Sequence, residues 1–154
     1  MIKKTLIFFL TIIALMPLMA NQTYFVKFIS SDISSIAAGG TATNGTDFTS
    51  SEIDVRYYSA DAAIQVWFNP GSATAYNVDF YFQASVDTAY TWDTDYYIRI
   101  RVPMNRTASS GQVIITKGVD LGGISTLRLW KVVVNDPSNG VANAGCRIGL
   151  NNQI

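Results

Sequence analysis

The aspartates at positions 87, 93 and 95 are the side chains with the clearest capacity for chemistry. Asp93 with Asp95, or Asp87 with Asp93, would supply the two carboxylates of a glycosidase. The three together form a weak Ca²⁺ candidate, although their spacing matches no EF-hand loop and the closing Glu is missing. Loop aspartates in a β protein are most often turn formers, so we predict neither a catalytic residue nor a metal site here.

The remaining residue inventory argues against an enzyme. The 154-residue sequence has no histidine and one cysteine, and Glu52 is its single glutamate. Ser-His-Asp triads, Cys-His dyads and zinc sites of the usual kind cannot be assembled from these residues. We therefore predict a non-enzymatic protein that carries no cofactor.

Aromatic residues offer a candidate binding surface. A run of aromatic and acidic residues extends from position 90 to 97, and Trp67 and Tyr81 fall on the polar register of their own segments. Flat aromatic faces beside Asp and Asn side chains are suited to sugar rings, whereas the alternative is that these residues simply cover the core and the sheet. The candidate ligand platform, with a glycan as partner, consists of Trp92, Tyr90, Tyr97 and Trp67.

Three N-glycosylation sequons occur in segments that resemble a terminus or a loop. They begin at Asn21, Asn44 and Asn105. A sequon in a surface loop of a secreted protein is an acceptor site, but a chain rich in Asn, Ser and Thr also produces sequons by chance.

Strands must position these groups, because hydrophobicity alternates with period two along most of the chain after Ser51. Alternation of this kind predicts half-buried β-strands. Pro70-Gly71 and the run from Asp136 to Gly140 predict turns. No sustained helical period follows the first twenty residues. The predicted strands lie near residues 53–57, 62–69, 78–85, 96–102, 112–117, 124–134 and 144–150, with another at 23–29.

About seven short strands spaced by turns are typical of an antiparallel β-sandwich. We predict a single all-β domain of this class, similar to a jelly roll, over residues 52–154. Its last strand contains Gly145 and Gly149, which indicate close backbone approach or a bulge. Cys146 is the only cysteine, so it cannot form an internal disulfide.

The first twenty residues are typical of a secretory signal peptide. Lys3 and Lys4 precede an uncharged apolar run from Thr5 to Met19, and a small residue, Ala20, ends it. A membrane anchor is the alternative, but a spanning helix needs roughly twenty apolar residues. We expect cleavage after Ala20 and a secreted protein, extracellular or at the cell surface, that is not held in the membrane.

Charge argues against nucleic acid as a partner. Without Lys3 and Lys4 the chain has nine basic and eleven acidic side chains, a net charge near minus two, and no Lys/Arg run. Binding phosphates requires a basic stripe. The roughly 134 residues that remain are within the size of one domain with a core of its own.

Residues 21–32 form a predicted N-terminal strand, and residues 33–51 form a Ser/Thr/Gly-rich tether or loop. Its run from Tyr24 to Ile29 is apolar on both faces except at Lys27. It is either the first strand of its own sandwich or a donor strand that completes the sheet of a neighbouring subunit. A structureless loop of this length is long for a compact domain and ordinary for a tether between subunits. The candidate donor residues are Tyr24, Phe25, Val26, Phe28 and Ile29.

The signal peptide, apolar first strand, Ser/Thr/Gly-rich tether and histidine-free β-sandwich resemble subunits of donor-strand-assembled extracellular filaments. Archaeal bundling pili and threads and bacterial biofilm fibres are examples. The resemblance is architectural, without a diagnostic motif. It implies a homopolymer in which the strand from Tyr24 to Ile29 enters the next subunit. The alternative function is a carbohydrate-binding or adhesive module.

Overall fold

The computed structural model describes residues 23–70, 77–87, 91–92, 97–102 and 112–152, with Asn152 described in its backbone only. Within these ranges the chain forms strands and connecting loops. The strands are β1 (Thr23–Lys27), β2 (Ile33–Ile36), β3 (Thr41–Thr43), β4 (Ile53–Asp54), β5 (Tyr58–Asn69), β6 (Val78–Ser85), β7 (Ile98–Val102), β8 (Val113–Asp120), β9 (Thr126–Val134) and β10 (Val141–Asn152).

The strands form two antiparallel sheets. The first sheet has the order β1-β10-β5-β8, with β2 beside the other end of β10. The second has the order β3-β9-β6-β7, with β4 also pairing with β9. The predicted all-β antiparallel sandwich is therefore confirmed. Within the described ranges, no helix is long and apolar enough to cross a membrane.

Alternation along each central strand builds the core between the sheets. In β10, the side chains of Ala144, Cys146, Ile148 and Leu150 are fully buried. The residues between them, Gly145, Arg147 and Gly149, belong to the opposite, outer face of the first sheet. The core contributions of the second sheet include Phe80, Phe82, Leu127 and Leu129.

Residues 33–51 are structured, which differs from an extended tether. They contain β2 and β3, and the side chains of Ile33, Ile36 and Ala42 are buried. These three apolar residues are separated by Ser, Thr and Gly, which gives the segment the composition of a linker. Even so, β2 and β3 each contribute at least one side chain to the core. The segment is long because it supplies a strand to each sheet: β2 pairs with β10, and β3 pairs with β9.

The N-terminal strand pairs with its own chain. β1 runs antiparallel to β10, with Thr23 opposite Asn151 and Lys27 opposite Arg147. The residues that enter the core follow β1: Phe28 is fully buried, and its ring centroid lies 5.0 Å from that of Phe82. Phe25 is 62% exposed, so the strand does not have apolar cover on both faces.

Candidate functional site

Trp67 lies flat on the outer face of the first sheet, over a glycine. A Cβ atom placed on Gly145 would lie 2.5 Å from the indole ring of Trp67, closer than any real contact. The two residues are register partners on β10 and β5. Only a residue without a side chain lets the ring approach the backbone of β10 this closely.

Phe25 lies against Gly149, four residues further along β10, in a looser contact than that of Trp67 with Gly145. A Cβ on Gly149 would lie 3.1 Å from the Phe25 ring, and Phe25 is the register partner of Gly149. At about 3.3 Å per strand residue, the two glycine positions are about 13 Å apart. That separation exceeds the width of one pyranose ring.

A row of polar side chains crosses the sheet between the two rings. The Nε of Arg147 donates a hydrogen bond to Gln65 Oε1 at 2.8 Å, and Gln65 Nε2 donates to Thr116 Oγ1 at 3.2 Å. The Arg147 guanidinium lies over the Phe25 ring, with Cζ 4.7 Å from the ring centroid. The contacts fix the orientation of the guanidinium. We call Phe25, Gln65, Trp67, Thr116 and Arg147 the aromatic face.

An acidic group closes the Trp67 end of the aromatic face. Trp67 Nε1 donates a hydrogen bond to Asp32 Oδ2 at 3.1 Å. Asp32 also lines an open groove of about 380 Å³ whose other walls come mainly from Ser, Thr and Asp side chains. On the far side of Trp67, its partner on β8, Ile114, is 45% exposed. The face therefore combines the Trp67 ring, the exposed Phe25 ring beside Arg147, and the guanidinium edge of Arg147, groups of the kind that can bind a sugar.

The structure divides the predicted ligand platform. Trp67 faces outward from the first sheet, whereas Trp92 contacts Arg128 of the second sheet. Tyr97 stands at the side of the sandwich, where its hydroxyl donates a hydrogen bond to the Asp120 carbonyl at 3.3 Å. The outer faces of two packed sheets point in opposite directions, so these side chains do not form one platform. Tyr90 lies outside the described residues.

Trp130 of β9 and Trp92, which contacts Arg128 of β9, each have a cation near the ring. The Arg128 Cζ lies 3.9 Å from the Trp92 ring centroid, and the Lys131 Nζ lies 4.0 Å from that of Trp130. Burial lowers the pKa of Arg128, and nearby Glu52 acts in the opposite direction. In the described part of the chain, no cation or second aromatic ring covers Trp67 in this way.

A buried carboxylate organises the outer face of the second sheet. Asp79 is fully buried and accepts hydrogen bonds from Arg99 Nη2 at 2.6 Å, Arg101 Nε at 3.1 Å and Asn135 Nδ2 at 2.9 Å. The hydrogen bond to Asp79 raises the pKa of Arg99, against an opposing effect of burial. This cluster ties β6, β7 and the end of β9 together, and we assign it a structural role.

The predicted Ca²⁺ candidate is described at one position only. Asp87 Oδ1 accepts hydrogen bonds from Ser85 Oγ at 3.0 Å and from the Thr91 backbone N–H at 3.0 Å, as in a loop-closing aspartate. Asp93 and Asp95 lie outside the described residues. The described residues contain no group of three potential metal ligands.

Of the three sequons, the structure describes Asn44. Its Oδ1 accepts a hydrogen bond from the Ser50 backbone N–H at 2.8 Å, which bridges the turn that follows β3. Asn21 and Asn105 lie outside the described residues, so glycosylation remains a prediction.

Sequence reasoning missed most of the aromatic face. It identified Trp67 but grouped it with residues of the other sheet, and it assigned Phe25 to subunit contacts. Gln65, Thr116 and Arg147 were not singled out. The available signal was the pattern Gly145, Arg147, Gly149, in which two glycines flank an outward-facing arginine at period two.

The comparisons with known proteins give a likeness of shape. No family model matches the chain, and no curated protein matches it. Among solved structures, VP2 of infectious bursal disease virus in its subviral particle is 13% identical with a TM-score of 0.46. The match covers 85% of this chain and 33% of that one, so this chain spans about a third of the viral protein's length.

Two further similar structures are a bacterial binding domain and an appendage protein. The CBM22-1 xylan-binding domain from Paenibacillus barcinonensis Xyn10C is 11% identical, covers 88% of this chain and 98% of its own, and has a TM-score of 0.42. A Bacillus endospore appendage protein is 13% identical, with coverage of 88% and 94% and a TM-score of 0.32. At these identities and TM-scores, the matches carry no argument about function.

Proposed function

We propose that the chain is a secreted, non-enzymatic glycan-binding or adhesive β-sandwich module, and that the aromatic face holds the sugar. The observation that carries this proposal is the pair of rings seated over Gly145 and Gly149 on either side of Arg147. Glycines in a strand interior weaken the strand, so two of them beneath two aromatic rings need a reason. Partly exposed rings next to an oriented guanidinium provide one. Secretion rests on the predicted signal peptide of residues 1–20.

Aromatic rings also cover strand glycines for purely structural reasons. The polar row favours a ligand, because Gln65 orients Arg147 and leaves its terminal Nη groups without a partner in the described residues. A structural cover over two glycines does not need an oriented guanidinium between the rings.

Glycan arrays, followed by calorimetry on the saccharide that binds best, test this function. Trp67→Ala should weaken binding by at least about 30-fold, since removal of a central aromatic anchor costs about 2 kcal/mol. Trp92→Ala is the matched control, because Trp92 packs against the other sheet. The saccharide affinity of this variant should equal that of the parent protein. Absence of binding to any saccharide, or equal losses in both variants, would contradict the proposal.

Assembly of filaments by strand addition is the second candidate, and the position of residues 23–29 favours it. The segment consists of the edge strand β1 followed by the buried Phe28 and Ile29, and residues 30–32 alone connect it to β2. Exchange of the strand between copies would hinge on these three residues. The contacts of Phe28 with Phe82 would then form between subunits.

Negative-stain microscopy and size-exclusion chromatography test the filament. The full mature chain should form fibres or large oligomers, and a chain beginning at Ile33 should lose them. A synthetic peptide of residues 23–29 added to the truncated chain should restore its thermal stability. A monomer at every concentration in the full chain would exclude polymerisation and would leave the glycan proposal untouched.

A further inference from the structure

Two cations stand side by side on the outer face of the first sheet. Lys27 and Arg147 are register partners on β1 and β10, and both project to the outer side. Directly opposed like charges on a sheet destabilise the pairing. In the ranges that the structure describes, no carboxylate lies within ion-pair distance of either side chain.

The guanidinium of Arg147 is oriented before any ligand arrives. Gln65 accepts from its Nε and Phe25 supports its flat side, and these contacts leave the Nη edge available. A guanidinium fork matches a planar carboxylate through two parallel hydrogen bonds. Lys27 adds a second positive charge next to it.

The charge on this surface is graded along β10. Arg147 lies midway between Gly145 and Gly149 with Lys27 opposite it, and its guanidinium leans over the Phe25 ring. Asp32 lies at the other end, where it accepts a hydrogen bond from Trp67 Nε1. A ligand that spans the aromatic face would therefore meet a positive group at one end and a carboxylate at the other. A negatively charged sugar unit fits beside Phe25, and a neutral unit fits beside Trp67.

We propose that the preferred ligand is an acidic saccharide whose carboxylate binds Arg147 and Lys27, with a uronic-acid unit at the Phe25 end of the aromatic face. This proposal rests on the proposed glycan-binding function. A sulfate ester would offer the same negative charge and can also accept two parallel hydrogen bonds from a guanidinium, so the binding test includes a sulfated oligosaccharide. A nucleic acid is disfavoured because the chain without its first twenty residues has a net charge near minus two and no Lys/Arg run.

Calorimetry with a matched ligand pair tests the proposal. The acidic ligand is an oligogalacturonide, and the neutral ligand is the same oligosaccharide with every carboxylate methyl-esterified. The acidic form should bind at least about tenfold more tightly, since hydrogen bonds to charged groups are the stronger class. This preference should weaken as salt is raised.

Variants assign the preference to residues. Arg147→Gln should abolish the tenfold preference by weakening the acidic ligand more than the neutral ester, and Lys27→Gln should reduce the preference in part. Arg56→Gln is the matched control, because Arg56 is an exposed arginine paired with Asp54 away from this face, and it should keep the preference. Circular dichroism and thermal melts verify that each variant is folded.

Each other outcome has a separate meaning. Equal affinity for the acid and its ester would overturn the acidic-sugar proposal and leave glycan binding intact. Binding of neither saccharide class, on an array as well, would overturn glycan binding itself. Tighter binding of a sulfated oligosaccharide would overturn the carboxylate assignment, and tighter binding of single-stranded DNA would overturn the sugar assignment.

Discussion

At the scale of single residues, burial separates two Asp–Arg contacts that are similar in sequence. Asp79 is fully buried beneath Arg99 and Arg101, whereas Asp54 pairs with Arg56 while both side chains are about 40% exposed. Neutralising a buried carboxylate leaves its cationic partners uncompensated, whereas an exposed ion pair contributes little to stability.

Asp79→Asn should therefore lower the free energy of unfolding by about 2 kcal/mol, a value below the range for fully buried pairs because both arginines reach solvent. Asp54→Asn is the control and should change it by less than about 0.5 kcal/mol. Urea denaturation measures both. Losses of similar size would mean that burial of Asp79 does not set the strength of its contacts.

Cys146 is a second residue whose behaviour follows from burial. Its side chain is fully buried in the core, and burial, with a smaller effect of Asp32, raises the pKa of its thiol well above the ordinary value. The thiol is the unreactive form, so iodoacetamide should modify Cys146 only when the protein is unfolded. Mass spectrometry after labelling with and without urea measures this. Rapid labelling of the native protein would contradict the burial of Cys146.

At the scale of elements, β10 is the strand on which the first sheet depends. It pairs with β1 and β2 on one side and β5 on the other, and it supplies both a core row and an outer row. The outer row has glycine where a ring lies on the sheet. The close approach of Trp67 to Gly145 is therefore a property of two paired strands.

Gly145→Ala should lower the free energy of unfolding by about 1 to 3 kcal/mol, because the added Cβ would displace the Trp67 ring. In a Trp67→Ala background the same change should cost little, since the clashing ring is gone. Gly118→Ala on β8 is the control, as nothing lies within 4 Å of its Cβ position. Equal costs with and without Trp67 would show that the glycine is required for another reason.

At the scale of the whole molecule, stability should depend on pH only at the extremes. The chain has no histidine, and the one thiol is held protonated. The hydrogen bond from Arg56 lowers the pKa of Asp54, and the Ser138 backbone N–H lowers that of Asp136. A carboxyl whose folded-state pKa is lowered stabilises the fold above its unfolded value and loses that contribution as pH falls through the folded value.

The free energy of unfolding should therefore be nearly constant between about pH 5 and 8 and decrease as the pH falls below about 4. Denaturation series at several pH values measure this. Asp136→Asn should flatten the acid limb, because the carboxyl that releases its proton on folding is gone. A marked change in the free energy of unfolding between pH 6 and 7 would contradict this account, since the chain lacks histidine, the side chain that ordinarily titrates in that range.

The regular strands were predictable because their cause is local. Alternation such as that of Val78, Phe80 and Phe82 places one face in the core regardless of which strand lies beside it. The segment from Ile33 to Ser51 was not predictable as strand, since β2 and β3 are short and polar at most positions. They form strands because their backbones hydrogen-bond to the free edges of β10 and β9. Those edges exist only once the sheets have assembled.

The amino-acid sequence by itself determined the fold class, the core rows and the chemistries that the chain lacks, because period-two burial and the absence of histidine are properties of residue order and residue type. Only the tertiary structure decided which aromatic residues share a surface. Trp67 and Phe25, forty-two positions apart in sequence, both pack on glycines of β10 and so share one face, whereas Trp67 and Trp92 belong to opposite faces. The pairing of distant strands sets these neighbours, and nothing local to either residue encodes it.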